Sequence, residues 1–329
     1  MKIVNPKKEK RKKKEDNEMK IVLLDIDTLG KVDLSILEKF GKLEKYNATC
    51  KEDTLRCVKE TDIIITNKVV INKEIMQKCD NLKLICIAAT GMNNVDLDFA
   101  KEKGVEVKNV AGYSTASVAQ TTFTLLFSLL GSSAYYDTYV KSGKWSKSPI
   151  FTHLKREFFE IKDKTWGIIG LGNIGKSVAD IAAAFGAKVV YYSTSGVNRN
   201  NEYQRKSLDD LLKTSDIISI HAPLNEKTDN LIGKQELSMM KKGAVILNMG
   251  RGGIVNEEDL AYAIDNFDIF AGLDVSKIEP MRADNPLLHV ENIDNIIFSP
   301  HIAWASREAR KTLVNMIAKN IENFIKEEQ

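Results

Sequence analysis

The 329-residue chain predicts an α/β protein of two domains, each built on a parallel sheet. Three observations carry that expectation. From Met19 onward, short β-branched runs alternate with helical patterns, the order that βαβ units produce. The length suffices for two ordinary cores, and 43% hydrophobic with 28% charged residues is a globular, soluble composition. A glycine-rich turn beginning at Gly170 then follows an apolar run and opens a helix inside a second series of runs.

In the first series the expected strands are residues 21–26, 62–66, 84–89 and 105–110. Helical stretches fall at 34–40 and 95–103, the latter ended by Gly104 as a C-cap, with Asp96 and Asp98 placed as N-terminal caps. An apolar helix at 118–130 leads to a charged, aromatic and irregular connector at 139–164. The second series has strands at 166–170, 187–192, 216–222, 244–249, 269–274 and 296–299. The last segment, 306–326, is an amphipathic helix with Leu313, Ile317, Ile321 and Phe324 along one side.

The formal charge of +3 is local. Residues 1–18 carry eight basic and four acidic side chains of the 48 and 45 in the chain, which leaves a near-neutral body of 40 and 41. Such a body gives no ground for a nucleic-acid partner. The opening Met1-Lys2-Ile3-Val4 recurs as Met19-Lys20-Ile21-Val22, so residues 1–18 read as a mis-assigned start or a disordered basic arm. No apolar run approaches the ~18 residues of a membrane helix, and the N-terminus lacks the apolar core of a signal peptide. A cytoplasmic protein without a membrane partner is expected. Cys50, Cys57, Cys79 and Cys86 form no CxxC pair and have no neighbouring histidine, so no metal site is expected.

The strongest motif runs from Trp166 through Gly170, Gly172 and Gly175. Gly170 allows the tight turn, Gly172 lets backbone approach a pyrophosphate, and Gly175 lets helix and strand pack closely. Asn173 and Ile174 open the helix, whose free N–H groups and positive dipole suit phosphates. In NAD enzymes a carboxylate usually ends the next strand and takes the ribose 2′-hydroxyl. Here that place falls in Tyr192-Ser193-Thr194-Ser195, with Ser193 eighteen residues past Gly175 and no acid present. Ser193, Thr194 and Ser195 suit a 2′-hydroxyl or a 2′-phosphate, with Arg199 close in sequence. The cofactor is therefore NAD or NADP, NADH being the first to try.

Three ionisable residues follow at the ends of later strands: Arg251, Glu279 and His301. In an open parallel sheet the C-terminal edge binds ligands, so all three belong to one rim. An arginine fork can hold a carboxylate and polarise the adjacent carbonyl. A histidine can give a proton to the developing alkoxide, and a glutamate beside it would orient its ring and favour the imidazolium. With a nicotinamide hydride, the set suits reduction of a 2-oxo acid.

From Met19 onward the sequence resembles the D-isomer-specific 2-hydroxyacid dehydrogenase family, most closely its glycerate dehydrogenase (hydroxypyruvate reductase) branch. The resemblance rests on Gly91 with Val95-Asp96, Gly143-Lys144-Trp145, the glycine motif, His221-Ala222-Pro223-Leu224 with Thr228, and the Arg251, Glu279 and His301 segments, spaced 28 and 22 residues apart. It implies Arg251 as substrate-carboxylate anchor, His301 as acid/base and Glu279 as its partner. It implies that Thr90 and Gly91 present N–H groups to the substrate, that Asp274 holds the nicotinamide carboxamide, and that His221, Ala222, Pro223 and Thr228 line the adenosine side. The implied fold is a discontinuous flavodoxin-like substrate domain, residues 19–112 and 301–329, around a Rossmann dinucleotide-binding domain, residues 113–300, through which homodimers form. The implied reaction takes hydroxypyruvate or glyoxylate to glycerate or glycolate. D-lactate and 3-phosphoglycerate dehydrogenases are the alternatives within the class, and a dinucleotide-sensing corepressor or scaffold the alternative outside it. Two departures stand out: Val118-Ala119-Gln120 has glutamine where the family has an acid, and Trp304 follows His301 where a smaller residue is common, narrowing the pocket. His153 and His289 read as surface residues.

Overall fold

The computed structural model describes residues 18–328. The two readings of the N-terminal segment fall, Glu18 apart, outside the described residues. Two compact units result: one holds the described residues up to Ser114 and from Ala305 onward, the other is Thr115–Trp304.

The first unit has strands β1 (Lys20–Leu23), β2 (Lys42–Lys45), β3 (Ile63–Thr66), β4 (Leu84–Ile87) and β5 (Glu106–Lys108). They form a fully parallel sheet of order β2-β1-β3-β4-β5, the flavodoxin-like arrangement. Ile63, Ile64, Ile65, Leu84, Ile85 and Ile87 are all fully buried, so the central strands are apolar on both faces and read as unbroken runs. β2 is a charged edge strand, Lys-Leu-Glu-Lys, and gives no such signal. The helices are α1 (Lys51–Val58), α2 (Lys73–Met76) and α3 (Leu97–Lys103). Asp96 caps α3 by accepting from Phe99 N–H at 3.0 Å, so the helix starts two residues later than the apolar pattern suggests. Gly104 ends it with a positive φ of 76°. At 34–40 only one 3₁₀ turn forms, Leu37–Lys39, enough to bury Leu34 and Leu37. The C-terminal helix, Arg307–Glu327, is capped by Ser306 and buries Leu313, Ile317, Ile321 and Phe324 in this unit.

The second unit opens with α4 (Thr115–Leu130) and α5 (Ser133–Lys141). Its strands are β6 (Thr165–Ile169), β7 (Lys188–Tyr192), β8 (Gln204–Arg205), β9 (Ile217–Ile220), β10 (Val245–Asn248), β11 (Phe270–Leu273) and β12 (Ile296–Phe298). Between them run α6 (Asn173–Ala184), α7 (Leu208–Thr214), α8 (Lys234–Met239) and α9 (Glu257–Asn266). The parallel order β8-β7-β6-β9-β10-β11-β12 is the doubly wound Rossmann sheet with a seventh strand added. Two apolar layers cover it. Ile218 and Ile246 face one cluster with Leu260 and Ile264 of α9. Ile217, Val245 and Leu247 face the other, with Val118, Phe123 and Leu126 of α4.

The units part after Ser114 and Trp304 rather than at 112 and 300, which puts His301 in the same unit as Arg251 and Glu279. Hydrogen bonds from residues 301–303 to Asp274 hold that segment there. No helix among the described residues is long and apolar enough to cross a membrane. No metal-binding cluster occurs among them.

Candidate active site

The turn after β6 meets its geometric requirements residue by residue. Gly170 has φ 91°, and a Cβ there would lie 2.9 Å from the Ala222 nitrogen. At Gly175 a Cβ would lie 2.2 Å from the Gly170 carbonyl oxygen, so α6 could not approach β6 with any side chain. Gly172 differs: a Cβ would meet no protein atom within 4 Å. Protein packing does not demand glycine there, and the free space lies at the N-terminus of α6, which no side chain caps. The N–H groups of the first turn, including those of Asn173 and Ile174, have no intrahelical acceptor. A phosphate with two ester arms fits this cradle. A cavity of ≈ 790 Å³ extends from Gly170 and Gly172 past Ser193, Thr194 and Ser195 to His221, Ala222 and Pro223. These residues fit a dinucleotide.

His221 is held neutral. Trp166 Nε1–H donates to Ser219 Oγ at 2.9 Å, and the same hydroxyl lies 3.0 Å from His221 Nε2. Nδ1 is buried without a partner among the described residues. Burial pushes this imidazole down to about 3. Thr228 is not on the cavity wall. Its hydroxyl, fully buried, donates to Pro223 C=O at 2.6 Å and accepts from Asn225 N–H at 2.9 Å, so it shapes the turn that presents Ala222 and Pro223.

The ionisable half of the rim follows β10, β11 and β12. Asn248, 2% exposed at the end of β10, accepts Gly250 N–H at 3.0 Å and donates to Arg251 C=O at 3.0 Å. That side chain builds the turn on which Arg251 stands. A Cβ at Gly250 would lie 2.7 Å from Ala222 O, and one at Gly252 1.9 Å from Ser276 O, so both glycines beside Arg251 are required by neighbouring main chain. Arg251 donates to Gly250 C=O at 2.8 Å, and no carboxylate among the described residues lies within ion-pair distance of it.

Glu279 Oε2 and His301 Nδ1 are 2.7 Å apart. Glu279 Oε1 accepts Ser276 N–H at 3.2 Å. The pair thus engages one ring nitrogen of His301 and leaves Nε2 for an exchangeable proton. His301 has φ 53°, a left-handed conformation, and its N–H donates to Asp274 C=O at 2.8 Å. Asp274, 3% exposed, accepts from Ser299 Oγ, from Ile302 N–H at 2.9 Å and from Ala303 N–H at 3.0 Å. Burial raises its carboxyl above the usual range although these hydrogen bonds and His301 pull the other way. Trp304 packs against the cluster containing Val118 and Ala303. In the first unit, Thr90 and Gly91 follow β4, and Thr90 Oγ1 donates to Val110 C=O at 3.0 Å. Their backbone N–H groups meet no acceptor among the described residues.

Arg251, Glu279 and His301 therefore lie on three adjacent strand ends of one sheet, with Glu279 and His301 in direct contact. Asn248 and Asp274's grip on residues 302–303 are the parts that sequence reasoning missed. The only signal for Asn248 was a polar residue closing an apolar strand just before Gly-Arg-Gly.

A doubly wound sheet with a glycine turn at its switch point and an Arg–Glu–His rim defines a dinucleotide-dependent dehydrogenase. Residues 123–303 match the NAD-binding domain profile of the D-isomer specific 2-hydroxyacid dehydrogenases. The chain is 37% identical over 316 residues to a hydroxypyruvate reductase of Blautia hydrogenotrophica, covering 94% of this chain and 97% of that protein. An acyclic imino acid reductase in complex with NADPH and D-Arg has a TM-score of 0.83 at 30% identity, over 94% of this chain and 98% of that one. The D-lactate dehydrogenase from Aquifex aeolicus, complexed with NAD and lactic acid, gives 0.81 at 27% identity, over 93% and 95%. The chain belongs to the D-isomer specific 2-hydroxyacid dehydrogenase family. It is an oxidoreductase acting on CH–OH donors with a nicotinamide dinucleotide.

The two glycines separate binding from folding. Gly172→Ala should leave the unfolding midpoint within about 2 °C of the parent while weakening dinucleotide binding by about tenfold or more, as read by fluorescence titration. Gly175→Ala should destabilise the fold by about 2 kcal/mol or more in urea. Equal effects of the two would contradict the geometry.

His221 makes stability depend on pH. Its imidazole titrates near 6.5 in the unfolded chain and at about 3 in the native one, so only the unfolded state gains a proton as the pH falls through 6.5. The stability of the neutral ring is complete above about pH 6.5 and is lost progressively from there towards 3. Between pH 7 and 5, His221→Gln should lose about 1–2 kcal/mol less unfolding free energy than the parent. Parallel pH curves would refute a ring that stays neutral in the folded state.

Proposed function

We propose that the enzyme reduces hydroxypyruvate, with glyoxylate as a second substrate, to the corresponding D-2-hydroxy acid. The observation that carries this is the Glu279–His301 contact at 2.7 Å on the rim that also bears an unneutralised arginine. When bound, the nicotinamide supplies the hydride. Arg251 holds the substrate carboxylate through its guanidinium fork and polarises the neighbouring C2 carbonyl. His301 delivers the proton from Nε2 to the carbonyl oxygen, while Glu279 at Nδ1 fixes the ring and stabilises the imidazolium before transfer. Thr90 and Gly91, whose N–H groups meet no acceptor among the described residues, are the first unit's candidates for the substrate carboxylate, in keeping with that unit as the substrate domain. Among the described residues Asp274 Oδ2 takes only Ala303 N–H, which leaves a lone pair for the nicotinamide carboxamide.

The cofactor reading extends to both NADH and NADPH. Ser193, Thr194 and Ser195 line the cavity at the end of β7 with hydroxyls that suit a 2′-hydroxyl or a 2′-phosphate, and the carboxylate that also lines it, Glu226, is accompanied by Lys227. Two further parts of the reading concern setting. Phe151, Leu154 and Phe158 are 89%, 80% and 67% exposed on the connector after α5, an apolar arm suited to a homodimer through the dinucleotide-binding unit. The free thiols accord with the cytoplasm.

Assays of NADH and NADPH oxidation against hydroxypyruvate, glyoxylate, pyruvate and phosphohydroxypyruvate test this directly. Hydroxypyruvate should give the highest kcat/KM, with both cofactors used. A preference for pyruvate would instead make the protein a D-lactate dehydrogenase. His301→Gln should lower kcat by about 10²–10⁴-fold with cofactor still bound, and Arg251→Ala should chiefly raise the 2-oxo acid KM. Near-normal turnover without the imidazole would remove His301 from the proton step.

A further inference from the structure

The loop that carries Glu279 is clamped from outside the rim by a residue to which no role has yet been given. Glu257 is the first residue of α9, one strand connection earlier in the chain. Its Oε1 accepts Lys277 N–H at 2.7 Å, and its Oε2 accepts Asn285 Nδ2–H at 2.9 Å. These contacts fall on either side of Glu279. Asn285 is itself fixed: it is 8% exposed, and its Oδ1 accepts Leu287 N–H at 3.0 Å, with Leu287 fully buried. Within the loop, Ser276 N–H donates to Glu279 Oε1 and Ser276 Oγ donates to Ile278 C=O at 2.6 Å. Gly252, next to Arg251, lies flat against Ser276 and Lys277: a Cβ there would be 2.4 Å from Lys277 N. The amide that Glu257 holds therefore belongs to the peptide against which the arginine turn packs.

We infer that Glu257 is a positioning residue for the acid–base pair: by clamping Lys277 and Asn285 it fixes the 276–285 loop, and through it the carboxylate that orients His301. The inference rests on the reading of Glu279 and His301 as the proton-transfer pair. Its logic is the common one for reactive sites, where the groups behind the first contacts set their aim and small misplacements cost large factors in rate. A carboxylate suits the place because both contacts need acceptors. No single neutral side chain of this length offers two acceptors to two donors.

That donor–acceptor pattern supplies the test. In Glu257→Gln, one end of the amide always faces a donor, either Lys277 N–H or Asn285 Nδ2. In Asn285→Asp, two carboxylates face each other. In the double exchange Glu257→Gln with Asn285→Asp the pattern is restored in reverse: the introduced amide takes Lys277 N–H on its oxygen and donates from its nitrogen to the introduced carboxylate, which still accepts Leu287 N–H. Each single variant should lower kcat by about 10- to 100-fold and displace the pH–rate limb that reports the histidine, with the dinucleotide dissociation constant unchanged. The double exchange should recover kcat to within about threefold and return the limb to its place. Single variants with unaltered kcat and pH profile would overturn the inference. So would a loss of turnover that merely follows the melting temperature and dinucleotide affinity, or a double exchange without recovery. If His301→Gln itself keeps normal turnover, the acid–base reading fails instead, which the Glu257 series alone would not show.

Discussion

The active rim depends on how Asp274 is satisfied. A carboxylate buried to this depth needs partners, and a cation would be the usual one. Here the partners are neutral donors, two backbone N–H groups and a hydroxyl, and all come from residues 299–303. The main-chain carbonyl of Asp274 takes a fourth, His301 N–H. One residue at the end of β11 thus anchors the whole segment beyond β12. His301 accepts a left-handed backbone, which costs about 1–3 kcal/mol for a residue with a Cβ, because the bonds on both sides of it leave no relaxed alternative. Satisfying Asp274 with main chain has a second effect. Arg251 is not consumed as its counter-ion, and among the described residues it has no carboxylate within ion-pair distance.

Arg251 is aimed by backbone rather than by side-chain packing. The turn that bears it touches the main chain of Ala222 on one side and of Ser276 on the other, at distances only glycine permits. Three successive crossovers are in this way locked to one another before any side chain is considered. The Asn248 hydrogen bonds then decide which way the turn faces. A lysine in place of Arg251 would inherit the position but not the planar fork of donors.

What could be read from the sequence follows the same physics. The central strands of both sheets were legible because parallel strands covered on both faces must be apolar throughout, as Ile63 to Ile65 and Val245 to Leu247 are. The edge strands β2 and β8 were not, since Lys-Leu-Glu-Lys and Gln-Arg are solvated and carry no hydrophobic signal. Asp96 was legible as a cap and accepts Phe99 N–H, but the apolar pattern began at Val95 and so set the helix start two residues before Leu97, while Asp98 lies inside the first turn. In the rim, residue types with distinctive chemistry stood out, namely the glycines, Arg251, Glu279 and His301. The supporting groups did not. Asn248 and Glu257 are ordinary polar residues whose meaning lies in which backbone amides they meet, and Thr228 suggested a ligand contact where its hydroxyl serves a turn.

The strand order explains why the two halves of the site need no special linkage. Because every pair in the second sheet is parallel, each strand has its C-terminal end on one edge, so residues far apart in the chain become neighbours at roughly 4.8 Å per strand. The glycine turn follows β6, beside the point where the order reverses and a crevice opens. Ser193 lies one strand to one side, and His221 one strand to the other. Arg251, Glu279 and His301 then follow in unbroken order beyond β9. Glu279 comes from the strand between those of Arg251 and His301. Its carboxylate meets Ser276 N–H and the His301 ring, while Glu257 accepts the neighbouring Lys277 N–H, and among the described residues none of these carboxylates reaches the guanidinium. Were Glu279 to turn one strand the other way, it would neutralise Arg251 and release the imidazole, and a rim with the same three residues would hold an ion pair in place of an oriented ring.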